Sequence, residues 1–147
     1  MDSFNPKGVP ALYLGASLEA AILEAAQGFG HKFEPLTICM VDVDCADIVD
    51  LSNDAARADE GVAFDDMGGA WGLALAERKK PVSWTIAEAL IARGAAGVLV
   101  PSFAHRAPAG LTNLVLWKWG ADLPHKARVI DPNARLPRNQ RSSATEE

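Results

Sequence analysis

The sequence predicts an α+β domain, a mixed sheet with helices, and three observations lead there. Short runs rich in β-branched residues recur, notably LTICMVDVDCADIVDL from Leu36 to Leu51 and GVLV from Gly97 to Val100. Between them lie segments with helical periodicity and helix-type boundaries. The two kinds alternate without a strict βαβ rhythm, so the expected class is mixed α and β.

Composition sets the bounds. A chain of 147 residues suits one domain whose core needs no disulfide or metal. Residues 1–135 are expected to form it, with 136–147 as a polar tail, mobile or partner-docking. Hydrophobic residues make up 49% and charged residues 22%, and no apolar run reaches the roughly 18 residues of a membrane span. Met1 is followed by Asp2 and a polar loop instead of a basic start and an apolar segment, so no secretory leader is expected and the chain reads as cytoplasmic. The formal charge of −5, from 14 basic and 19 acidic residues, comes without a basic run, which argues against a nucleic-acid footprint. Cys39 and Cys45 lack CxxC spacing and read as reduced structural thiols. His31, His105 and His125 are too widely spaced to form a metal-ligand pattern.

Taken in order, Ala11 to Leu14 reads as a strand broken by Gly15. A helix then opens at Ser17, its N-cap, with Glu19 in the first turn. Leu18, Ala21, Ile22 and Ala25 fall at i, i+3, i+4 and i+7, the expected core stripe, and Glu24 lies about 60° from Ala21 on its border. Gly28 and Gly30 are expected to end this helix. The run Leu36 to Leu51 is expected to give two strands interrupted near Asp44 to Ala46. Ser52 to Met67 reads as a short helix with an irregular loop, and Gly68 to Glu77 as a further helix carrying Trp71. Ser83 to Arg93 is a helix with Ser83 as N-cap, with Ile86, Leu90 and Ile91 on one face and Gly94 as its stop. Gly97 to Val100 is a buried strand ending at Pro101 and Ser102, and Asn113 to Trp117 and Ala127 to Asp131 are the last strands.

The stretch Phe4 to Ala25 packs a polar loop, a strand and an acid-bearing helix together, so Tyr13, Glu24 and polar loop groups can converge on one pocket. Taken singly, Glu24 is a border-of-core acid and Tyr13 a half-buried strand tyrosine. Asp42, Asp44, Asp47 and Asp50 suggest calcium, but an EF-hand's glycine and twelfth-position glutamate are absent, so strand-end and turn acids are preferred. Neither GxGxxG nor GxxxxGK[ST] is present. The loop Asn5, Pro6, Lys7, Gly8 is a candidate for contacting a nucleotide, with an ordinary surface turn as the equal alternative. Ser102 and His105 suggest a serine hydrolase, but the GxSxG elbow is missing. A serine at the end of a buried strand fits a hydrogen-bonding group at a cleft mouth better.

Taken together, FNPKGVPALYL, AILEAAQGF, GVLVPS, NLVLW and VIDPNARLPRNQ, in that order from Phe4 to about Gln140, resemble a RES-domain protein, the toxin half of RES–Xre toxin–antitoxin pairs. The resemblance implies a fold shared with ADP-ribosyltransferases related to diphtheria toxin. It also implies consumption of NAD+, with ADP-ribose passed to a protein, water or phosphate, no metal, and neutralisation by an Xre- or ParS-type antitoxin. By motif position the family's glutamate corresponds to Glu24, its serine to Ser102 and its pocket tyrosine to Tyr13, the implied catalytic residues. Asn5, Lys7, Gly8, Tyr13, Trp84 and Asn113 are the implied NAD+-binding residues. The family's arginine should precede the aromatic-Asn-Pro block, and Ser3 stands there instead. Either Met1 to Ser3 replaces a longer N-terminal segment, or the chain is a natural variant of reduced activity. In the second case the alternative is a catalytically weakened binding module for its antitoxin.

Overall fold

The computed structural model of the protein describes residues 4–29, 37–68, 78–103, 108 and 110–134. In chain order these form β1 (Leu12–Gly15), α1 (Leu18–Phe29), β2 (Met40–Cys45), β3 (Ile48–Asp50), α2 (Asp54–Glu60), α3 (Phe64–Gly68), α4 (Val82–Ala92), β4 (Gly97–Pro101), β5 (Thr112–Leu116) and β6 (His125–Ile130). The architecture is the expected α+β class with a mixed sheet. Four strands lie in the order β1-β5-β4-β3, with β5 antiparallel to both its neighbours and β4 parallel to β3.

The strand register sorts side chains onto the two faces of this sheet. Tyr13, Val115 and Val98 oppose one another, and so do Gly15, Asn113 and Val100. Directly paired residues share a face and the pattern repeats every second residue, so these six positions lie on the same side. That side is the core face. Val98, Val100, Val115 and Trp117 pack there with Met67 of α3, Ala87 and Leu90 of α4, Leu51 and Phe4. Each large apolar side chain fully buried in this layer contributes about 1.5–3 kcal/mol.

Strands β2 and β6 form a separate antiparallel ribbon. The break within Leu36 to Leu51 falls at Ala46 and Asp47, slightly later than expected, and the two strands it separates join different sheets. Asp47 makes that switch with φ +65°, a left-handed conformation that Asp tolerates better than most residues. The corner is held from three sides: Ala96 N–H donates to the Asp47 carbonyl (2.8 Å), Ala46 N–H donates to the Pro124 carbonyl (2.8 Å), and His125 Nε2 lies 3.0 Å from Asp47 Oδ2. Two other acids of the run are similarly local, since Asp42 pairs with Lys126 at 3.3 Å and Asp50 accepts from Ser52. Among the described residues no group of three or more His, Cys, Asp or Glu is placed to hold a metal ion. Cys39 and Cys45 are free thiols, Cys39 exposed and Cys45 half-buried.

Ser52 to Met67 holds two short helices. Asn53 caps α2, its side chain accepting from Ala56 N–H at 2.9 Å, which satisfies one of the helix's orphan donors. Helix α4 begins one residue earlier than expected. Pro81 is its N-cap, with φ −59°, and Ser83 lies inside the helix, buried, with no partner for Oγ among the described residues. Pro81 makes no side-chain cap hydrogen bond, and its φ lies where the proline ring fixes it. The C-terminus of α4 matches expectation: Gly94, at φ +95°, donates to the Ile91 carbonyl while Ala95 N–H donates to Leu90, the paired bonds of a Schellman stop. Leu90 is buried and Ile86 and Ile91 pack against the core, as their shared face required.

Helix α1 continues through Gly28 to Phe29 instead of ending at that glycine. The helix expected over Gly68 to Glu77 lies outside the described residues apart from Gly68, which ends α3, and so does the C-terminal tail. No helix among the described residues is long and apolar enough to cross a membrane.

Candidate active site

The site is assembled by how closely α1 approaches β1. A Cβ built on Gly15 would sit 2.5 Å from the backbone nitrogen of Ala21 and 2.9 Å from its Cα, distances real Cβ atoms do not reach. Glycine at this place therefore lets the helix settle against the strand end. Ser17 caps it as expected, its Oγ accepting from Ala20 N–H at 3.2 Å. The close approach also fixes which face turns inward, and here the expected stripe is wrong. Ala20 is 0% exposed, whereas Leu18 is 60% and Ile22 39% exposed. With backbones this close, a small residue must face the strand, so alanine displaces the larger Leu and Ile from the contact. The side chain of Ala25 lies outside the described residues. Glu24 follows Ala20 by four residues and so shares its inward face.

The Glu24 carboxylate reaches the end of the sheet where β1, β4 and β5 meet. Asn113 Nδ2 donates to Glu24 Oε2 at 3.1 Å and Ser102 Oγ donates to the same oxygen at 3.3 Å. Asn113 opposes both Gly15 and Val100 in the ladder, so it stands on the core face directly beneath the start of α1. Ser102 lies just past β4, its N–H donating to the Leu111 carbonyl at 2.8 Å. Two residues 78 and 89 positions further along the chain thus converge on the Glu24 carboxylate.

Two features give this cluster the character of a ligand site. Both donors address Oε2, and among the described residues Oε1 accepts no hydrogen bond. Asn113 Oδ1 is buried and likewise has no partner. A buried acceptor without a donor costs about 1–3 kcal/mol, and native structures rarely retain one without a use for it. The arrangement fits a ligand that brings hydroxyl or amide donors, such as a ribose or a carboxamide. Ser102 Oγ donates to the Glu24 carboxylate, and His105, the other residue of the serine-hydrolase reading, lies outside the described residues.

The other expected residues are placed variously. Tyr13 is half-buried on the same face as Asn113, two rungs along the β1–β5 ladder, roughly 6.5 Å at the usual rise per residue. Its hydroxyl accepts from Phe4 N–H at 3.2 Å, while the Phe4 carbonyl accepts from Trp117 Nε1 at 2.9 Å. Tyr13 therefore anchors the loop that precedes its own strand. Within that loop Asn5 Nδ2 donates to the Val9 carbonyl at 2.7 Å, and Lys7 and Gly8 are exposed. Trp84 is half-buried in the first turn of α4 and takes no part in the two bonds to Glu24. Ser3 lies outside the described residues.

Sequence reasoning missed a second cluster at this end of the sheet. Arg57 of α2 is buried, its Nη1 donating to the Leu51 carbonyl at 2.9 Å and its Nη2 pairing with Asp54. Its guanidinium carbon lies 5.1 Å from the Phe64 ring centroid, and that ring contacts Phe103 at a centroid distance of 5.2 Å. No short motif links these residues; only the tertiary fold brings α2, α3 and the residue after Ser102 together. A separate open groove of about 550 Å³, lined by Pro10, Trp117, Lys118, Trp119 and His125 among others, lies at the opposite end of β5. Neither Glu24, Ser102 nor Asn113 lines it, so convergent polar chemistry, and not volume, places the candidate site.

Comparison with known proteins adds one match. A family model described as RES domain matches residues 3–139, a span that includes Glu24, Ser102 and Asn113. No curated protein and no solved structure matches the chain.

Proposed function

The chain belongs to the RES-domain family, and on that premise we propose that it is the toxin of a toxin–antitoxin pair, cleaving NAD+ at the nicotinamide–ribose bond. The observation that supports this most is the Glu24 carboxylate, held on one oxygen by Ser102 and Asn113 with its other oxygen and the Asn113 Oδ1 left to accept. Nicotinamide departs with the bonding electron pair as a neutral amide, leaving cationic character on the ribose. Glu24 stabilises that charge and orients the sugar by accepting from its 2′-hydroxyl. Asn113 Oδ1 accepts from a second donor of the nicotinamide riboside. The acceptor's oxygen or nitrogen then bonds to the ribose carbon and gives its proton to solvent. Protein, water and phosphate all satisfy this chemistry.

Serine in place of the family arginine removes one charge-assisted contact, worth about 1.5–3 kcal/mol, so turnover is reduced about ten- to a hundredfold and not abolished. An Xre- or ParS-type antitoxin is the proposed partner. Following nicotinamide release from NAD+ tests the proposal. Release is expected from this chain, faster from Ser3→Arg; no release from either overturns the enzyme reading. Ser3 also motivates a second reading, a binding module that persists as the antitoxin's partner. Tight association with an Xre-type protein, with no nicotinamide released even when phosphate or acceptor proteins are supplied, favours it.

A further inference from the structure

We infer that the exposed ring of Phe64, backed by Phe103 and fixed by Arg57, is the ledge on which the adenine of the substrate stacks. The inference rests on the NAD+ reading above. Phe64 and Met67 stand three residues apart and share a face of α3, yet Met67 is 0% exposed in the core while Phe64, at the start of the helix, is 48% exposed. The core thus leaves the Phe64 ring in reach of solvent, yet the ring is held in place. Phe103 meets it at 5.2 Å with the planes inclined by 51°, and the Arg57 guanidinium lies 5.1 Å from its centroid. Arg57 is itself locked by the Leu51 carbonyl and Asp54. An exposed aromatic ring held in one orientation is a stacking surface that needs little reordering when a ligand arrives.

Its position suits the far end of a dinucleotide. Phe103 follows Ser102, the residue that donates to Glu24, and it packs against the same core layer that carries Val100. The Glu24 carboxylate and the Phe103–Phe64 pair therefore lie at one end of the sheet and on one side of it. The ledge is one peptide step and one ring contact away from the carboxylate.

Charge selects between the substrate's two rings. The nicotinamide of NAD+ is a cationic pyridinium, and Phe64 already has the Arg57 cation at its ring. A second cation stacked there would be repelled, whereas neutral adenine keeps the stacking without that cost. Nicotinamide is in any case required beside Glu24, where its bond breaks. One molecule can then span both clusters.

Steady-state kinetics with NAD+ and with nicotinamide mononucleotide, which lacks the adenylate half, test this, using wild type, Phe64→Ala and Phe64→Tyr. Base stacking on an aromatic side chain corresponds to about five- to 150-fold in affinity. Phe64→Ala should raise KM for NAD+ by about tenfold with kcat within about twofold, leave kcat/KM for the mononucleotide unchanged, and weaken ADP-ribose in calorimetry by a similar factor. Phe64→Tyr should restore wild-type values. A wild type that cleaves NAD+ with the KM unchanged in Phe64→Ala overturns the ledge alone, as does an equal loss for both substrates. A wild type that neither binds ADP-ribose nor cleaves NAD+ overturns the ledge and the NAD+ reading together.

Discussion

Replacing Gly15 by alanine probes the contact that aims Glu24. The added Cβ would meet Ala21 N at 2.5 Å, Ala21 Cα at 2.9 Å and Ala20 C at 3.0 Å. All three are backbone atoms, so no side chain can swing aside and α1 must move away from β1 by about 1 Å to reach ordinary contact. Overpacking of this kind costs about 1–3 kcal/mol. Alanine also restricts the unfolded chain, which returns about 0.4–1 kcal/mol, so the net loss of stability is about 1–2 kcal/mol. The functional loss is larger. A shift of about 1 Å takes Glu24 Oε2 out of hydrogen-bond range of Asn113 and Ser102, now at 3.1 and 3.3 Å, and misplacement on that scale costs on the order of a hundredfold in rate. Urea denaturation and nicotinamide release, measured on the same preparation, separate the two effects. A Gly15→Ala protein with wild-type stability and wild-type release would refute the argument that α1 is seated by this contact.

Two further substitutions test other links. Trp117→Phe removes the donor to the Phe4 carbonyl and leaves that buried acceptor unpaired, so stability should fall by about 1–3 kcal/mol; an unchanged denaturation midpoint would contradict the anchoring of the N-terminal loop. Asp50 is held below its usual carboxylate value by the Ser52 hydroxyl and then by the Ser52 N–H. Because its folded pKa is depressed, the stability this adds is present above the unfolded carboxylate pKa and is lost as pH falls through the folded value. Ser52→Ala should raise the Asp50 pKa part of the way back, since the N–H remains, and NMR titration showing no upward movement would contradict this.

Much of the scaffold was legible in the sequence because its signals are local. Gly94 after an apolar helical face, Ser17 before one, and β-branched runs each act within a few residues, and the corresponding elements formed where those signals stand. The inward face of α1 was misread for the opposite reason. Leu18 and Ile22 carry the stronger hydrophobic signal, but the decisive contact is between Gly15 and the backbone of Ala20 and Ala21, which periodicity does not contain. The resemblance groups Glu24, Ser102 and Asn113 in one site, but that both donors meet on one oxygen of Glu24 follows only from the β1–β5–β4 register and the seating of α1. The cluster of Arg57, Phe64 and Phe103 left no mark in the sequence, because its parts come from three segments whose spacing carries no pattern.

The most direct test compares nicotinamide release from NAD+ by the wild type and by Glu24→Gln, with circular dichroism and denaturation midpoints taken on both. Glutamine keeps the size of the side chain but removes the charge that stabilises the cationic ribose. The expected result is measurable release by the wild type, a fall of at least about a hundredfold in Glu24→Gln, and matching spectra. Release by Glu24→Gln at the wild-type rate would contradict the assignment of this carboxylate as the group that breaks the nicotinamide–ribose bond.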